Sequence, residues 1–424
     1  MARVLIAWEL GEAYGHLARC LRLADGLRRR GHTVTLALKD MRLPGGPAAA
    51  SGMTVLAAPM TAHLTVQRSS RQTAPINYAD VLLHCGFADP HDLAARLYAW
   101  QGMFSLARAD VLLADHAPTA LLAAHLSGLP HLAIGNGFAI PPAVRPWPSL
   151  RPWAPESEAT LTHAEARLDQ ATDAAQRLIN RNEPVRVREL FSPRDVLDTF
   201  AELDHYGARS CGRYVGPIGK VPRSLRTAWQ GQGGPRVLAY LRPGVPGLRA
   251  IVQGLARLEA EVLCVIPGLP LDTAREMATR RLRIALGPVD LPPLFQQTDL
   301  AISYGNSGFS TQALLAGVPL LMRPRHVEQA LFARQVEALG AGRSLVGRLD
   351  AQTVVVAVED LLDTSACRIA AQEFAQRYCG FTPQTAIDTT IAAIEQCSLA
   401  MQAEPSAGPA ADTQKQEPAA QCFQ

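Results

Sequence analysis

The fold is decided by the stretch Ile302-Ser-Tyr-Gly-Asn-Ser-Gly-Phe-Ser-Thr-Gln312, continued by Ala313-Leu-Leu-Ala-Gly-Val-Pro-Leu-Leu321 and Arg323-Pro-Arg-His-Val-Glu-Gln-Ala330. Leu300 to Tyr304 is a mostly apolar run of strand length, and Ser310 to Leu315 reads as the helix after it. Gly305 and Gly308 let the backbone between them bend and come close to a ligand. Ser307, Ser310 and Thr311 are helix-capping types. A helix starting there presents free amides and the positive end of its dipole, which suits an anion such as a diphosphate. Glycines at such a turn also serve packing alone, so the turn by itself leaves both uses open. Their order fits neither a P-loop nor the dinucleotide fingerprint. Pro319 to Met322 supplies the next strand, and β-α-β alternation predicts a parallel, doubly wound α/β sheet.

The alternation extends on both sides. Further strands read at Val237 to Leu241, Val262 to Ile266 and Leu282 to Leu286. Helices read at Leu248 to Leu258, Leu271 to Thr279, Leu291 to Gln297 and Glu328 to Leu339. Two more close the chain, near Ala351 to Leu362 and Arg368 to Gln396. Near the N-terminus, Val4 to Trp8 and Thr33 to Leu38 are buried-strand runs flanking a helix from His16 to Arg30, which Gly31 ends. The pattern recurs at Asp110 to Ala114, Ala117 to Leu126 and Pro130 to Ile134. The proline-rich stretch Pro141 to Pro155, with Trp147 and Trp153, is a loop, either a plain connector or the wall of an acceptor pocket. Residues 157–190 read as helical. Glycines and prolines crowd 216–235, which marks a linker. The expected division is a first domain at 1–215, the linker at 216–235 and a second domain at 236–365. A C-terminal helix at 366–398 packs back on the first domain, and a tail at 401–424 has the composition of disorder.

Composition limits the function classes. Forty-one basic residues face 38 acidic ones, too even a balance for a dedicated nucleic-acid binder. Eight cysteines lie scattered with no C-x-x-C spacing, so no zinc or redox motif is expected and a reducing, cytoplasmic location fits. The N-terminal apolar run is broken by Glu9 and reads as a strand, not a signal peptide. No apolar run reaches the ~18 residues of a spanning helix.

Residues 282–342 resemble the donor signature of the nucleotide-sugar glycosyltransferases, the group that includes plant, macrolide and glucuronosyl transferases. Those carry a T-H-G-G-x-G-T or H-C-G-W-N-S turn, an E-A-L-x-x-G-V-P helix end and a closing D/E-Q pair. Glu202-Leu-Asp-His-Tyr206 and Arg213-Tyr-Val-Gly-Pro217 look like the bacterial branch's entry to the linker. The resemblance spans roughly residues 1 to 395. It implies the GT-B fold, two doubly wound Rossmann-like domains facing across a cleft. It further implies a UDP- or dTDP-linked hexose-type sugar on the second domain and an acceptor hydroxyl on the first.

By the same resemblance Ser307, Gly308, Phe309 and Ser310 form the diphosphate turn, and Gln312 falls where a Glu often bonds the ribose. Val289, within Leu286 to Asp290, lies beside the base; Glu328 and Gln329 take the sugar hydroxyls, with His326 next to them. Three letters depart from the pattern: Tyr304 replaces the turn's His, Asn306 its second Gly, and Phe309 a Thr or Ser. Tyr is neutral at pH 7. Arg242, where a Ser is usual, or Arg323 is the expected replacement for the lost charge.

On the acceptor side Gly11-Glu-Ala-Tyr-Gly-His-Leu-Ala-Arg19 resembles the motif G-x-x-G-H-x-x-P, with Arg19 in place of Pro. It puts Gly15 and His16 at the first strand-to-helix turn. An inverting transfer needs a base for the acceptor hydroxyl, and neutral His suits that. Asp115 matches the family's Asp that orients this base, a relation like that of His and Asp in a catalytic triad. Read without the resemblance, a His at such a turn is more often a structural cap. His116 is a rival base, and Asn136-Gly-Phe138 places Gly137 and Phe138 in an acceptor loop or in the core. His32 reads as a surface residue. No D-x-D motif occurs, which fits a metal-independent reaction with no cofactor beyond the sugar-nucleotide co-substrate. The acceptor is expected to be a small molecule or a lipid-type one, the latter bringing peripheral contact with a membrane. Two other readings are a degenerate GT-B protein that binds without turnover and a nucleotide-sugar 2-epimerase. The oligomeric state is not legible.

Overall fold

The structure, a computed structural model, describes residues 1–11, 14–42, 52–61, 74–219 and 225–400. The tail at 401–424 and linker residues 220–224 lie outside the described residues. The first half runs β1 (Arg3–Trp8), α1 (Tyr14–Arg29), β2 (Thr33–Leu38), β3 (Thr54–Ala57), α2 (Tyr78–Leu82), α3 (Pro90–Ala107), β4 (Val111–Asp115), α4 (Pro118–Leu126), β5 (His131–Gly135), α5 (Glu158–Leu178), β6 (Val196–Leu197) and β7 (Arg213–Tyr214). The second runs β8 (Arg236–Tyr240), α6 (Leu248–Leu255), β9 (Glu261–Val265), α7 (Leu271–Met277), β10 (Leu282–Ala285), α8 (Leu291–Phe295), β11 (Leu300–Ser303), α9 (Ser307–Leu315), β12 (Leu320–Met322), α10 (Val327–Ala338) and β13 (Gly342–Ser344). The helices α11 (Ala351–Asp363), α12 (Ser365–Arg377) and α13 (Pro383–Ala400) close the chain.

Each half builds one parallel sheet. Their orders are β3-β2-β1-β4-β5-β6-β7 and β10-β9-β8-β11-β12-β13. Continuous apolar strands follow from burial on both faces. Leu5 and Ala7 of β1 pack with α3 and α4, while Val4, Ile6 and Trp8 pack with α1 and α13. In the second sheet Val237 and Ala239 face α6 and α11, whereas Leu238 faces α9, α10 and α12. In both sheets the winding reverses between the first and fourth strands, β1 and β4 or β8 and β11. Open sheets of this kind bind ligands outside the carboxyl ends of the strands at that switch.

The C-terminus differs from the sequence reading. One helix was expected from Arg368 to Gln396; the structure has two, α12 and α13, parted at 378–382. Gly380 and Pro383 explain the break, since proline suits only the first turn of a new helix. In the gap Phe381 turns inward onto Phe200, with ring centroids 5.1 Å apart. So α12 packs on the second half, through Ala371 and Phe374, and α13 alone crosses to the first. A Cβ on Gly26 of α1 would lie 2.7 Å from Ile391 Cδ1, so glycine sets how closely α1 and α13 approach. The helix expected over 157–190 also ends early, at Leu178, before the left-handed Asn180. Among the described residues no helix is long and apolar enough to cross a membrane, and the seven cysteines are all free.

Candidate active site

The first constellation forms where β1 and β4 separate. Asp115 ends β4 in register with Trp8 of β1, and His16 sits on the first turn of α1. His16 Nδ1 lies 2.8 Å from Asp115 Oδ1, and the imidazole stacks on Trp8 at 5.6 Å between ring centroids. Asp115 can only accept, so Nδ1 carries the proton in this contact and Nε2 keeps its lone pair. Nε2 lies over Gly11, where a Cβ would come within 2.4 Å of it, and Gly11 also has φ +85°. Only glycine meets both demands.

Asp115 has a second partner. Arg19 Nε donates to its Oδ2 at 2.8 Å, and an Arg19 NH2 group contacts Oδ1 and lies 3.1 Å from His16 Nδ1. The other terminal nitrogen of Arg19 pairs with Asp198, just beyond β6. Burial alone would raise the Asp115 carboxyl; Arg19 and then His16 overcome it and hold the group well below the usual carboxylate range. Burial pushes Asp198 up, and Arg19 offsets only part of that. His116 stacks on His16 at 6.1 Å and lies half-buried beside the rings of Tyr78 and Phe138. Burial lowers its imidazole to about 4.

The second constellation forms where β8 and β11 separate. Gly305, at φ +81°, turns the chain from β11 into α9, and a Cβ there would lie 2.9 Å from the Gln329 carbonyl oxygen. The glycine thus lets α9 and α10 close on one another. Asn306 caps α9 by position but makes no side-chain bond to its amides. Gly308 is exposed, with open space where a Cβ would stand. The start of α9 therefore offers backbone N–H groups and room for an anion. Arg242, just beyond β8, donates from Nε to Tyr304 Oη at 3.2 Å. Arg323 instead donates to the carbonyls of Pro246, Leu345 and Gly347, which makes it a strut between loops. Val289 pairs with Leu225 of the linker through the Pro288 carbonyl and the Asp290 amide, so its own amide and carbonyl point the other way.

The two constellations face each other. Asn136, beyond β5, donates from Nδ2 to Glu328 Oε1 on α10 at 3.0 Å. Phe138 and Leu150 of the first half pack with Leu331 of α10, and His205 lies between Phe138 and Phe332. Burial works to raise the Glu328 carboxyl; the neighbouring His205 and His326 and the Asn136 amide bring it below its usual range.

No family model matches the chain. Over 290 residues it is 26% identical to the PGL/p-HBAD biosynthesis glycosyltransferase of Mycobacterium tuberculosis, covering 63% of this chain and 67% of that protein. Among solved structures, the glycosyltransferase VinC in complex with dTDP is similar at TM-score 0.66 and 15% identity, over 94% of this chain and 99% of VinC. The spinosyn rhamnosyltransferase SpnG, complexed with spinosyn aglycone, is similar at TM-score 0.59 and 19% identity, over 92% of this chain and all of SpnG (100%). The chain is a glycosyltransferase of the GT-B type.

Within this glycosyltransferase the expected residues divide. His16 with Asp115, Arg242 with Tyr304, and Glu328 with Asn136 are brought together as described. Ser307 and Gly308 open α9 toward the cleft, and His326 stands exposed at the start of α10. Other side chains turn away. Phe309 is a core residue stacked between Tyr240 and Phe295, and the Ser310 hydroxyl bonds Ser303 inside the fold at 2.8 Å. Both leave only their backbone at the turn, because the inner face of α9 must cover the second sheet. Gln312 binds back to the Gly308 carbonyl, and Gln329 accepts from the Arg325 amide at 2.9 Å, tying the loop before α10 to its first turn. Gly15 is exposed on α1. Gly137 has a packing reason, since a Cβ there would meet Asp204 Oδ1 at 2.0 Å. Phe138 and Trp147 are buried, not open pocket walls, and Trp153 is exposed. Sequence reasoning missed the pairing of Arg19 and Asp198. Arg19 lies three residues from His16 on one helical face, a spacing that could have linked them. Asp198 follows a strand of two residues, too short to read.

Proposed function

We propose that this glycosyltransferase moves a hexose-type sugar from a UDP or dTDP donor to an acceptor hydroxyl, with inversion and without a metal ion or further cofactor. The His16–Asp115 contact of 2.8 Å at the mouth of the first sheet carries this reading. His16 Nε2 takes the proton as the acceptor oxygen attacks the anomeric carbon from the side opposite the diphosphate. The bond from that carbon to the diphosphate oxygen breaks, and Asp115 stabilises the imidazolium that forms. The start of α9 and the Arg242 guanidinium receive the charge on the departing nucleoside diphosphate, and Glu328 holds a sugar hydroxyl. Burial lowers the His116 imidazole to about 4, which makes it a poor base.

The relatives named above support the substrate classes: VinC is described with dTDP and SpnG with an aglycone. A small or lipid-type acceptor would reach the partly exposed His16 imidazole at the mouth of the first sheet.

The test is donor hydrolysis. Purified protein given UDP- and dTDP-hexoses should release nucleoside diphosphate slowly, and His16→Ala should cut that release on the order of 10²- to 10⁴-fold. Tight donor binding with no release in wild type, across donors and acceptors, would favour the non-catalytic reading that Tyr304, Asn306 and Phe309 suggest.

A further inference from the structure

The charge of Asp115 is claimed twice. His16 uses one oxygen, and Arg19 contacts both. A carboxylate strengthens a neighbouring histidine as a base, but a guanidinium bound across that carboxylate takes much of the effect away. It also stands 3.1 Å from His16 Nδ1, where it opposes a second positive charge. Asp198 reverses this, because it pairs with the outer nitrogen of the same guanidinium. Arg19 and Asp198 are each about nine-tenths buried, so water screens these charges little.

We propose that Asp198 is a positioning residue that sets the proton affinity of His16 through Arg19. The four groups work as one unit: two carboxylates, one guanidinium and one imidazole. With His16 neutral the unit carries one net negative charge; with His16 protonated it is neutral. Proton uptake from the acceptor hydroxyl onto Nε2 therefore discharges a buried cluster instead of charging it. The groups facing His16 are Asp115 from β4, Arg19 from α1, His116 beyond β4 and the uncharged Trp8 of β1. The Cys20 thiol touches Asp115 at 3.6 Å, Lys39 Nζ binds the Gly11 carbonyl at 2.9 Å, and Glu328 reaches the set only through His116.

This inference rests on His16 being the base, but its test does not need turnover. The imidazole of His16 is titrated by NMR in protein labelled at histidine Cε1, with the signal assigned by its loss in His16→Gln. Asp198→Asn should lower the His16 titration midpoint by about one pH unit. Asp198→Glu, which keeps the charge, should return it close to wild type. The pair Arg19→Met with Asp198→Asn, which removes one charge of each sign, should also bring it back. In turnover, the acid limb of kcat for Asp198→Asn should move down with the midpoint, while the donor KM stays unchanged. An unmoved midpoint in Asp198→Asn overturns the proposal, even where His16→Ala abolishes release. So does an equal shift in Asp198→Glu, which would mark a packing effect. Absence of any donor release with the expected NMR shifts would refute the catalytic reading and leave the coupling standing.

Discussion

Tyr304 is where this chain departs most from the pattern it resembles, and its neighbour supplies what the tyrosine lacks. The hydroxyl accepts from Arg242 at 3.2 Å, so a guanidinium stands at the mouth of the turn in place of a histidine. Arg242→Ala should weaken binding of UDP or dTDP by about 10- to 100-fold, the value of one charge-assisted contact. Tyr304→Phe, which removes one neutral bond, should cost only severalfold. Titration calorimetry reads both, and an unchanged affinity in Arg242→Ala would leave the backbone of α9 as the whole anion site. At this scale the sequence exposed residues whose positions follow from strand ends, such as His16, Asp115 and Arg242. It hid those fixed by distant packing. Phe309 stood in the motif, yet which face of a nine-residue helix turns inward depends on the sheet beneath it. Arg19 meets Asp198, 179 residues away, only because β6 lies beside β5.

Strands and helices were legible to the degree that they were long and apolar. Thr33–Leu38 was bounded correctly, and β1, β4, β5 and β8 to β12 to within a residue, while the short β3 and β13 were not read. Two-residue β6 and β7 carry no periodicity to read. Nor does the sequence announce how elements satisfy one another, and Glu9 is the instance. This acid broke the first apolar run, and it caps α4: its carboxyl accepts from the amides of Thr119 at 3.0 Å and Ala120 at 2.9 Å. Burial, opposed by Arg96 and these amides, raises it to about 7. A carboxyl raised on folding is most favourable to stability below its unfolded value of about 4.3, and the contribution is lost as pH rises through 7. Wild type should therefore lose stability through this group between pH 5 and 8, on the order of 3 kcal/mol. Glu9→Gln cannot ionise, so it should gain on wild type over that range. Denaturant titrations at several pH values measure the gap, and a gap constant from pH 5 to 8 would sink the assignment.

Two doubly wound halves and a C-terminal helix returning to the first could be foreseen, but not the joint that precedes that helix. The sequence ran Gly380, Phe381 and Pro383 into one helix, and that interval is the joint. Phe200, which continues the first half beyond β6, lies in the core of the second, against Tyr378 at 3.9 Å, Phe381 at 5.1 Å and Phe374 at 5.4 Å. Glu202 adds a bond from the Tyr378 hydroxyl at 2.6 Å and an ion pair with Arg377. The other meeting point, Asn136 with Glu328 and Phe138 with Leu331, lies at the cleft. One joint is thus a four-ring aromatic cluster away from the chemistry, and the other joins Asn136 to Glu328 beside the smaller contacts of Phe138, Leu150 and His205 with α10. The larger one should act as the pivot, and the smaller should open and close with substrate. Phe200→Ala removes the central ring of the pivot at a cost of about 3–5 kcal/mol. Since that ring links the cores of the two halves, the loss should fall on their coupling. Wild type should melt in one calorimetric transition and Phe200→Ala in two, the first at lower temperature. A variant that still melts once, at the wild-type midpoint, would show that the halves are held together elsewhere.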